Sequence, residues 1–395
     1  MYDKYMLRFL VHIILILPII TLSWFYESYE LPKFLLFLVC SLPIAIWSIV
    51  HLTQQTILVL RYKQNFSALI PPIIYILFIL SLGVSSFTNE TLSLGFWGQP
   101  YRYQGLIFLL CCGGLAYFVS KAHDNQVREY VRTIAIVGIF SCIVVIVQYL
   151  GLNLLHLPIP AYAGRPIGTF GNPNFAAGYI VLSYAFVWAW RRNNVTRILF
   201  ILLFSTAIFC TGSLSGVGAF IVMCAVLFAS KSPLKLVGML LIISLVGVGM
   251  YQSYSSRTPS SFDRRSIIWD KAWFAFFQKP ITGWGVENFN SALQSNVRSE
   301  EIHLTHIRVD KAHNEFLEIL VAGGIASLAL YIALLFQIIK KAYTRTTHLR
   351  DPTILAVLVG YMVYSFANVQ GMSQYVLVFF SVGLLFKIRS GPSYS

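Results

Sequence analysis

Long stretches of this chain, such as Ile198–Cys210 and Phe316–Ile339, are apolar on nearly every side. Barrel strands alternate apolar with polar residues, so runs of this kind exclude a membrane barrel. In lipid every backbone N–H and C=O must find its partner inside the same element, which leaves helices. Hydrophobic residues make up 57% of the 395 and charged residues 11%, against about 25% charged in soluble domains. The expected fold class is an all-α polytopic membrane protein.

A span needs about 20 mostly apolar residues. Twelve segments qualify: 7–25, 33–51, 66–87, 104–120, 131–150, 174–190, 197–212, 214–230, 234–251, 314–338, 353–370 and 373–388. The expectation is a single membrane domain over 1–395, with one long extracytoplasmic loop, 252–312, that contains short helices. The pair 197–212 and 214–230 is the weakest assignment, because Thr211-Gly212-Ser213 is a very short turn. The first segment has no small-residue cleavage site and reads as a retained span.

Charge orients the chain. An even number of spans puts both termini on one side. That side gathers Lys4, Arg8, Arg61, Lys121, Arg191, Lys340 and most other cations, whereas the short loops opposite carry only Lys33, Arg102 and Arg165. Positive loops stay inside, so both termini are expected in the cytoplasm and the long loop outside. The same placement of cations at span ends accounts for the net charge of +14 and removes the nucleic-acid reading. Cys40, Cys111, Cys112, Cys142, Cys210 and Cys224 all fall in apolar spans without metal-ligand spacing, and read as small buried hydrophobes. No repeat of 20–50 residues is visible, and the halves do not mirror one another, which weighs against a secondary transporter.

The chemistry-bearing residues cluster on the outer side. From Asp263 to Phe276 the long loop carries apolar residues at helical spacing behind Arg264 and Arg265, as an amphipathic surface helix does. Guanidinium forks bind phosphate oxygens in bidentate fashion; pairing with lipid head groups, Asp263 or Asp270 is an equal alternative. Lys279-Pro280 stops this helix, and Gly283-Trp284-Gly285 forms a turn. Asp310 is positioned to cap a helix whose first turn contains His313, Asn314 and Glu315. An imidazole there suits proton transfer near neutral pH, although by position alone a purely hydrogen-bonding histidine is the commoner outcome. His303, His306 and His313 lack the spacing of a zinc site. Glu315 and Glu318 lie in the first turns of an apolar span, where ionisable residues face protein or water and mark function.

Two more outer motifs stand out. Gly168-Thr169-Phe170-Gly171-Asn172-Pro173-Asn174, preceded by Arg165, is a Gly- and Asn-rich entry to a helix. Its backbone N–H groups suit an anion; a tight turn that needs small residues is the alternative. Phe96-Trp97-Gly98-Gln99-Pro100-Tyr101-Arg102-Tyr103-Gln104-Gly105 offers aromatic and amide groups for stacking on sugars, or forms an interfacial belt.

Together these motifs resemble the O-antigen ligase and polymerase superfamily of membrane glycosyltransferases. The resemblance covers about residues 160–340. It rests on Gly168–Asn174; on Arg265 followed by Trp269; on Pro280–Gly285 with Asn288-Phe289; and on His313–Leu317 followed by Gly323-Gly324. One position departs: where members of the family often carry Arg after Thr-Gly-Ser, this chain has Leu214.

The resemblance implies transfer of a glycan from an undecaprenyl diphosphate carrier to a hydroxyl of a glycan, lipid or protein acceptor. The reaction would take place on the outer face of the bacterial cytoplasmic membrane, with no metal and no cofactor. It implies His313 and Arg265 as catalytic residues, and Arg264, Arg165, Asn172, Asn174, Glu315, Glu318 and Trp269 as substrate-binding. In this picture Glu315 or Glu318 fixes the imidazole, and Arg165 or Arg264 stands in for the arginine missing at 214. A lipid-linked polysaccharide polymerase is the near alternative. A transporter or a non-catalytic membrane partner is the alternative of another class.

Overall fold

The computed structural model describes residues 4–22, 27–62, 69–152, 164–191, 193–229, 261–295, 309–349 and 351–387. Among them all regular structure is helical. In chain order the helices are α1 (Lys4–Ile16), α2 (Glu30–Arg61), α3 (Ile70–Thr88), α4 (Leu92–Trp97), α5 (Leu106–Ser120), α6 (Asp124–Tyr149) and α7 (Pro173–Trp190). There follow α8 (Asn194–Thr211), α9 (Leu214–Ala229), α10 (Ser261–Gln278), α11 (Phe289–Gln294), α12 (Glu315–Leu349), α13 (Thr353–Ser365) and α14 (Met372–Leu385).

Each expected span except 234–251 overlaps a described helix; 234–251 lies outside the described residues. Five helices (α2, α3, α6, α8 and α12) are long and apolar enough to cross a membrane. α5, α9, α13 and α14 are apolar but shorter. The break between α8 and α9 is real: Gly212 adopts a left-handed conformation (φ 62°) that ends α8, as C-terminal glycines commonly do.

α7 sits at the centre. It packs against α6, α8, α9, α13 and α14, and nearly every residue from Pro173 to Trp188 is buried. A helix apolar all round belongs in such a place. Around it a main core joins α1, α2, α5, α6, α8, α9, α13 and α14. A second cluster ties α3 to α12 through Phe78, Ile79, Leu82, Ile319, Ala322 and Tyr331. A third packs α10 and α11 onto the start of α12 through Ala272, Ala275, Phe289, Leu317, Leu320 and Val321.

α10 is the amphipathic helix expected in the long loop. Its small residues Ala272 and Ala275 are buried, whereas Trp273, Phe274 and Phe277 are exposed. The helix therefore lies on α12 by a narrow face and leaves a broad aromatic one outward.

α12 is not one straight rod. Gly324 has φ 70° and ψ −171° and breaks it. The turn after α10 docks into this break: Trp284 N–H donates to the Val321 carbonyl (2.9 Å), Gly285 N–H to Ala322 (2.9 Å), and Ile325 N–H to Pro280 (2.9 Å). A Cβ on Gly283 would strike the Ala322 carbonyl, and one on Gly324 the Ile281 carbonyl. The Pro280–Gly285 and Gly323-Gly324 motifs are thus two halves of one backbone-to-backbone joint.

Candidate functional site

α5, α7, α9, α10, α12 and α13 each bring one end to one place. Asn314 caps α12: its side-chain oxygen accepts from Phe316 N–H (3.0 Å) and Leu317 N–H (3.2 Å). His313 precedes the cap with φ 51°, a conformation uncommon outside glycine. This corrects the expectation that Asp310 caps a helix with His313 in its first turn. Asp310 is instead taken by Arg102, whose Nε donates to it at 2.6 Å. Burial alone would raise the Asp310 carboxyl; the Arg102 guanidinium outweighs that and holds it below the usual carboxylate range. The Gly98–Gly105 loop folds back on itself to present Arg102. A Cβ on Gly98 would meet the Gln104 N–H, and Tyr101 and Tyr103 both have positive φ.

The backbone that carries His313 is held on three sides. Trp269 Nε1 donates to the Ala312 carbonyl at 3.0 Å. Ala312 N–H donates to Glu318 at 2.8 Å. Lys311 is buried between Glu287 (2.8 Å) and Glu318 (3.2 Å). Burial opposes its charge, but the two carboxylates outweigh that and raise the ammonium above its ordinary value. Glu315 accepts from the Tyr375 hydroxyl. Both glutamates are therefore engaged below the imidazole, Glu318 with Lys311 and Ala312 and Glu315 with Tyr375, rather than with the ring as expected.

Two arginines complete the site. Arg265, from α10, donates to the side-chain oxygen of Asn368 at 3.0 Å, and Asn368 in turn donates to Ser215. Arg165 donates to the Thr211 carbonyl (2.7 Å) and to the Asn174 side chain (3.1 Å). Tyr364 on α13 donates to the Asn174 carbonyl. Burial lowers the Arg265 pKa, Tyr364 opposes this, and the charge of Arg165 adds to the lowering. An arginine stays charged through such a shift, so two guanidiniums face one region. Among the described residues neither has a carboxylate partner; oxygens of amides and carbonyls hold both.

His313 feels the same field. Burial first, then the charges of Arg265 and Arg102, lower its pKa to about 4, against the opposing pull of Asp310. The ring is therefore neutral at pH 7, with a lone pair available for a proton.

The Gly- and Asn-rich loop builds this site from beneath. Lys33, fully buried on α2, donates to the Thr169 carbonyl at 2.7 Å. Thr169 donates to the Pro18 carbonyl at 2.5 Å, and Gln148 brackets Gly168. Asn172 caps α7 by accepting Asn174 N–H at 2.8 Å, so the helix start is closed by a side chain. Asn174 is the residue that aims Arg165. Arg264 lies on α10, but its side chain lies outside the described residues, as do His303 and His306.

Arg165, Asn174, Arg265, Trp269 and His313, named from separate stretches, come together here. Sequence reasoning missed three contributors. Arg102 sat in a motif read for its aromatic and amide groups, with no role given to the arginine. Tyr364 sat in an apolar span. Asn368 carried a signal: Ala367-Asn368-Val369-Gln370-Gly371 is a polar interruption between two short apolar spans.

No curated protein is similar enough to match the chain. Residues 198–332 match the family model of O-antigen ligase. That stretch holds Arg265, Trp269, the joint between Gly283 and Gly324, and His313, and it supports the membership of this chain in the O-antigen ligase superfamily.

Proposed function

We propose that this protein transfers a glycan from a polyprenyl (undecaprenyl) diphosphate carrier to an acceptor hydroxyl at the outer face of the bacterial inner membrane, in the manner of a ligase. The observation that carries the reading is the pair Arg165 and Arg265, partly buried and, among the described residues, without carboxylate partners, beside a neutral imidazole. A site of this kind has positive charge to spare, and a diphosphate uses it.

The steps follow from the residues. Arg165 and Arg265 grip the diphosphate and neutralise the charge that grows on it as the sugar C1–O bond breaks. The acceptor oxygen attacks C1, and its proton passes to His313. The products are the glycosylated acceptor and the polyprenyl diphosphate. In the empty site His313 is a weak base because burial disfavours its charged form and, after that, Arg265 and Arg102 repel a proton. A diphosphate bound at Arg265 offsets the repulsion from that arginine, so proton affinity rises when donor is present. Arg102 with Asp310, Trp269, and Lys311 with its two glutamates hold the imidazole in place. The arginines do what a divalent cation does in other transferases, so the reaction needs no metal, and chelation by EDTA is expected to leave it unchanged.

The test is glycan transfer in membranes or with purified protein and a lipid-linked donor. His313→Ala is expected to lose about 100-fold or more of the activity, the range for a general base, at normal protein level. Arg265→Lys is expected to raise the donor concentration needed, because the fork is lost. Normal product from His313→Ala at every donor concentration would sink the catalytic assignment.

A further inference from the structure

The far end of the bundle holds a second built feature. α5 starts beside Arg102 and ends at Ser120, fifteen residues away, which at 1.5 Å per residue is about 22 Å, most of a hydrocarbon core. At that end a pocket is lined by Lys4 and Arg8 from α1, Trp47 and His51 from α2, Lys121 after α5, and His123 at the start of α6. No acidic side chain among the described residues lines it. Among the described residues no carboxylate pairs with Lys4, Arg8 or Lys121. His51 is oriented by the Tyr117 hydroxyl at 2.9 Å and stacks on Trp47.

Lys121 also lines a larger cavity of about 460 Å³, within the range of sites for small molecules and cofactors. Its walls are apolar side chains of α2, α3, α5, α12 and α14. Several, including Ile49, Ile76, Leu80 and Leu110, are exposed on the outside of the bundle, so the cavity opens sideways to lipid. Its two ends differ in charge. Near the candidate site it meets Glu287, Glu315 and Glu318 against the single Lys311; at the other end it meets Lys121 and Lys341. An occupant with an anionic head and an apolar tail fits only with the head at the lysine end.

We propose that an anionic phospholipid of the leaflet opposite the candidate site seats its headgroup phosphate among Lys4, Arg8, His51 and Lys121 and lays an acyl chain in this cavity. Basic pockets between membrane helices bind anionic head groups in this way. The polyprenyl donor runs the opposite course, with its diphosphate at the arginine end, and the carboxylates that line the near end of the cavity disfavour a second anionic head there. The proposal does not depend on the glycan-transfer reading, and transfer activity is not its readout.

The experiment is native mass spectrometry of the full chain in detergent, with phosphatidylglycerol, phosphatidylcholine, polyprenyl phosphate or inorganic phosphate added separately. One phosphatidylglycerol per chain is expected to stay bound, with about tenfold or greater preference over phosphatidylcholine. The triple variant Lys4→Gln, Arg8→Gln, Lys121→Gln is expected to lose that preference. Leu110→Trp, which fills the cavity wall, is expected to lose both lipids. Circular dichroism and gel filtration show whether each variant folds, and Arg8→Gln alone, with a smaller loss, serves if the triple variant does not. Equal retention of the two phospholipids overturns the proposal. So does inorganic phosphate at millimolar concentration displacing the lipid, which would make the pocket an anion site only. So does polyprenyl phosphate outcompeting phosphatidylglycerol in the wild type and in the triple variant alike, which would give the cavity to the donor tail.

Discussion

Arg165 reaches its place from a loop, yet its guanidinium lies on the Thr211-Gly212-Ser213 turn. Its Nε is 3.2 Å from where a Cβ on Gly212 would stand. That is two residues from Leu214, the position where the resemblance to the O-antigen ligase family leads one to expect arginine. Leu214 itself is 56% exposed and anchors nothing in the core. We propose that Arg165 supplies from one loop the charge absent from another. Removing it is expected to cut transfer by about 100-fold, as for loss of one electrostatic donor. Adding Leu214→Arg to Arg165→Ala is expected to restore part of the loss, read as donor dependence of product formation. No recovery in a folded double variant would count against the exchange. His313 makes a second prediction. Its pKa of about 4 lies below the ordinary 6.5, so the neutral, proton-accepting form persists down to about pH 4. The acid limb of kcat/KM, which reports the free enzyme, is expected near pH 4; a limb near 6.5 would mean that the imidazole is not held among these charges. Much at this scale was legible in the sequence. His313, Arg265 and Trp269 announced themselves by type and motif. Tyr364 and Asn368 did not, because a tyrosine or an asparagine carries no sign of which neighbour it will meet.

At the scale of elements, the joint between Pro280–Gly285 and the broken α12 decides how α10 sits over the site. Ser85 supports it by donating to the Ala322 carbonyl at 2.5 Å, and Asn89 by donating to Gly283 at 3.0 Å. Lys279 donates to Asn89 at 2.5 Å and lies over the Trp284 ring at 4.2 Å. Gly324→Ala is expected to break the joint. With φ 70° and ψ −171° the residue sits in a region open essentially to glycine alone, where a Cβ costs about 1–3 kcal/mol, and here the Cβ also meets the Ile281 carbonyl. α10 would lose its seat, and Arg265 and Trp269 would move with it. The expected result is impaired transfer with much of the bundle intact, read as faster proteolysis within 261–295. Wild-type activity in Gly324→Ala would refute this coupling. The two glycine motifs were visible in the sequence as turns. That they fit each other across some forty residues was not, because backbone contact at short range leaves only glycines behind, and glycines do not name their partner.

For the whole molecule, the arrangement sets two cationic faces about one α5 length apart. One gathers Arg102, Arg165, Arg265 and His313; the other gathers Lys4, Arg8 and Lys121. Cation counting expects the second face, with both termini, in the cytoplasm. A cysteine placed near residue 4 and another near residue 387 are expected to escape a membrane-impermeant thiol reagent in intact cells, whereas one near residue 281 reacts. Labelling at either terminal position would reverse the orientation and move the candidate site to the wrong side for an exported donor.

The apolar runs, by themselves, determined that the chain is helical and belongs in a membrane, since each such run must satisfy its own backbone in lipid. The spacing of Gly, Arg, Trp and His determined which stretches carry chemistry. Only the tertiary structure decided which of them meet. It gave Asp310 to Arg102 rather than to a helix cap, Glu318 to Lys311 rather than to the imidazole, and Arg165 to the turn before Leu214. The reason is physical. Apolarity and helix-breaking act over a few residues and leave a local mark, whereas a buried charge takes whichever partner the packing of distant helices brings within about 3 Å.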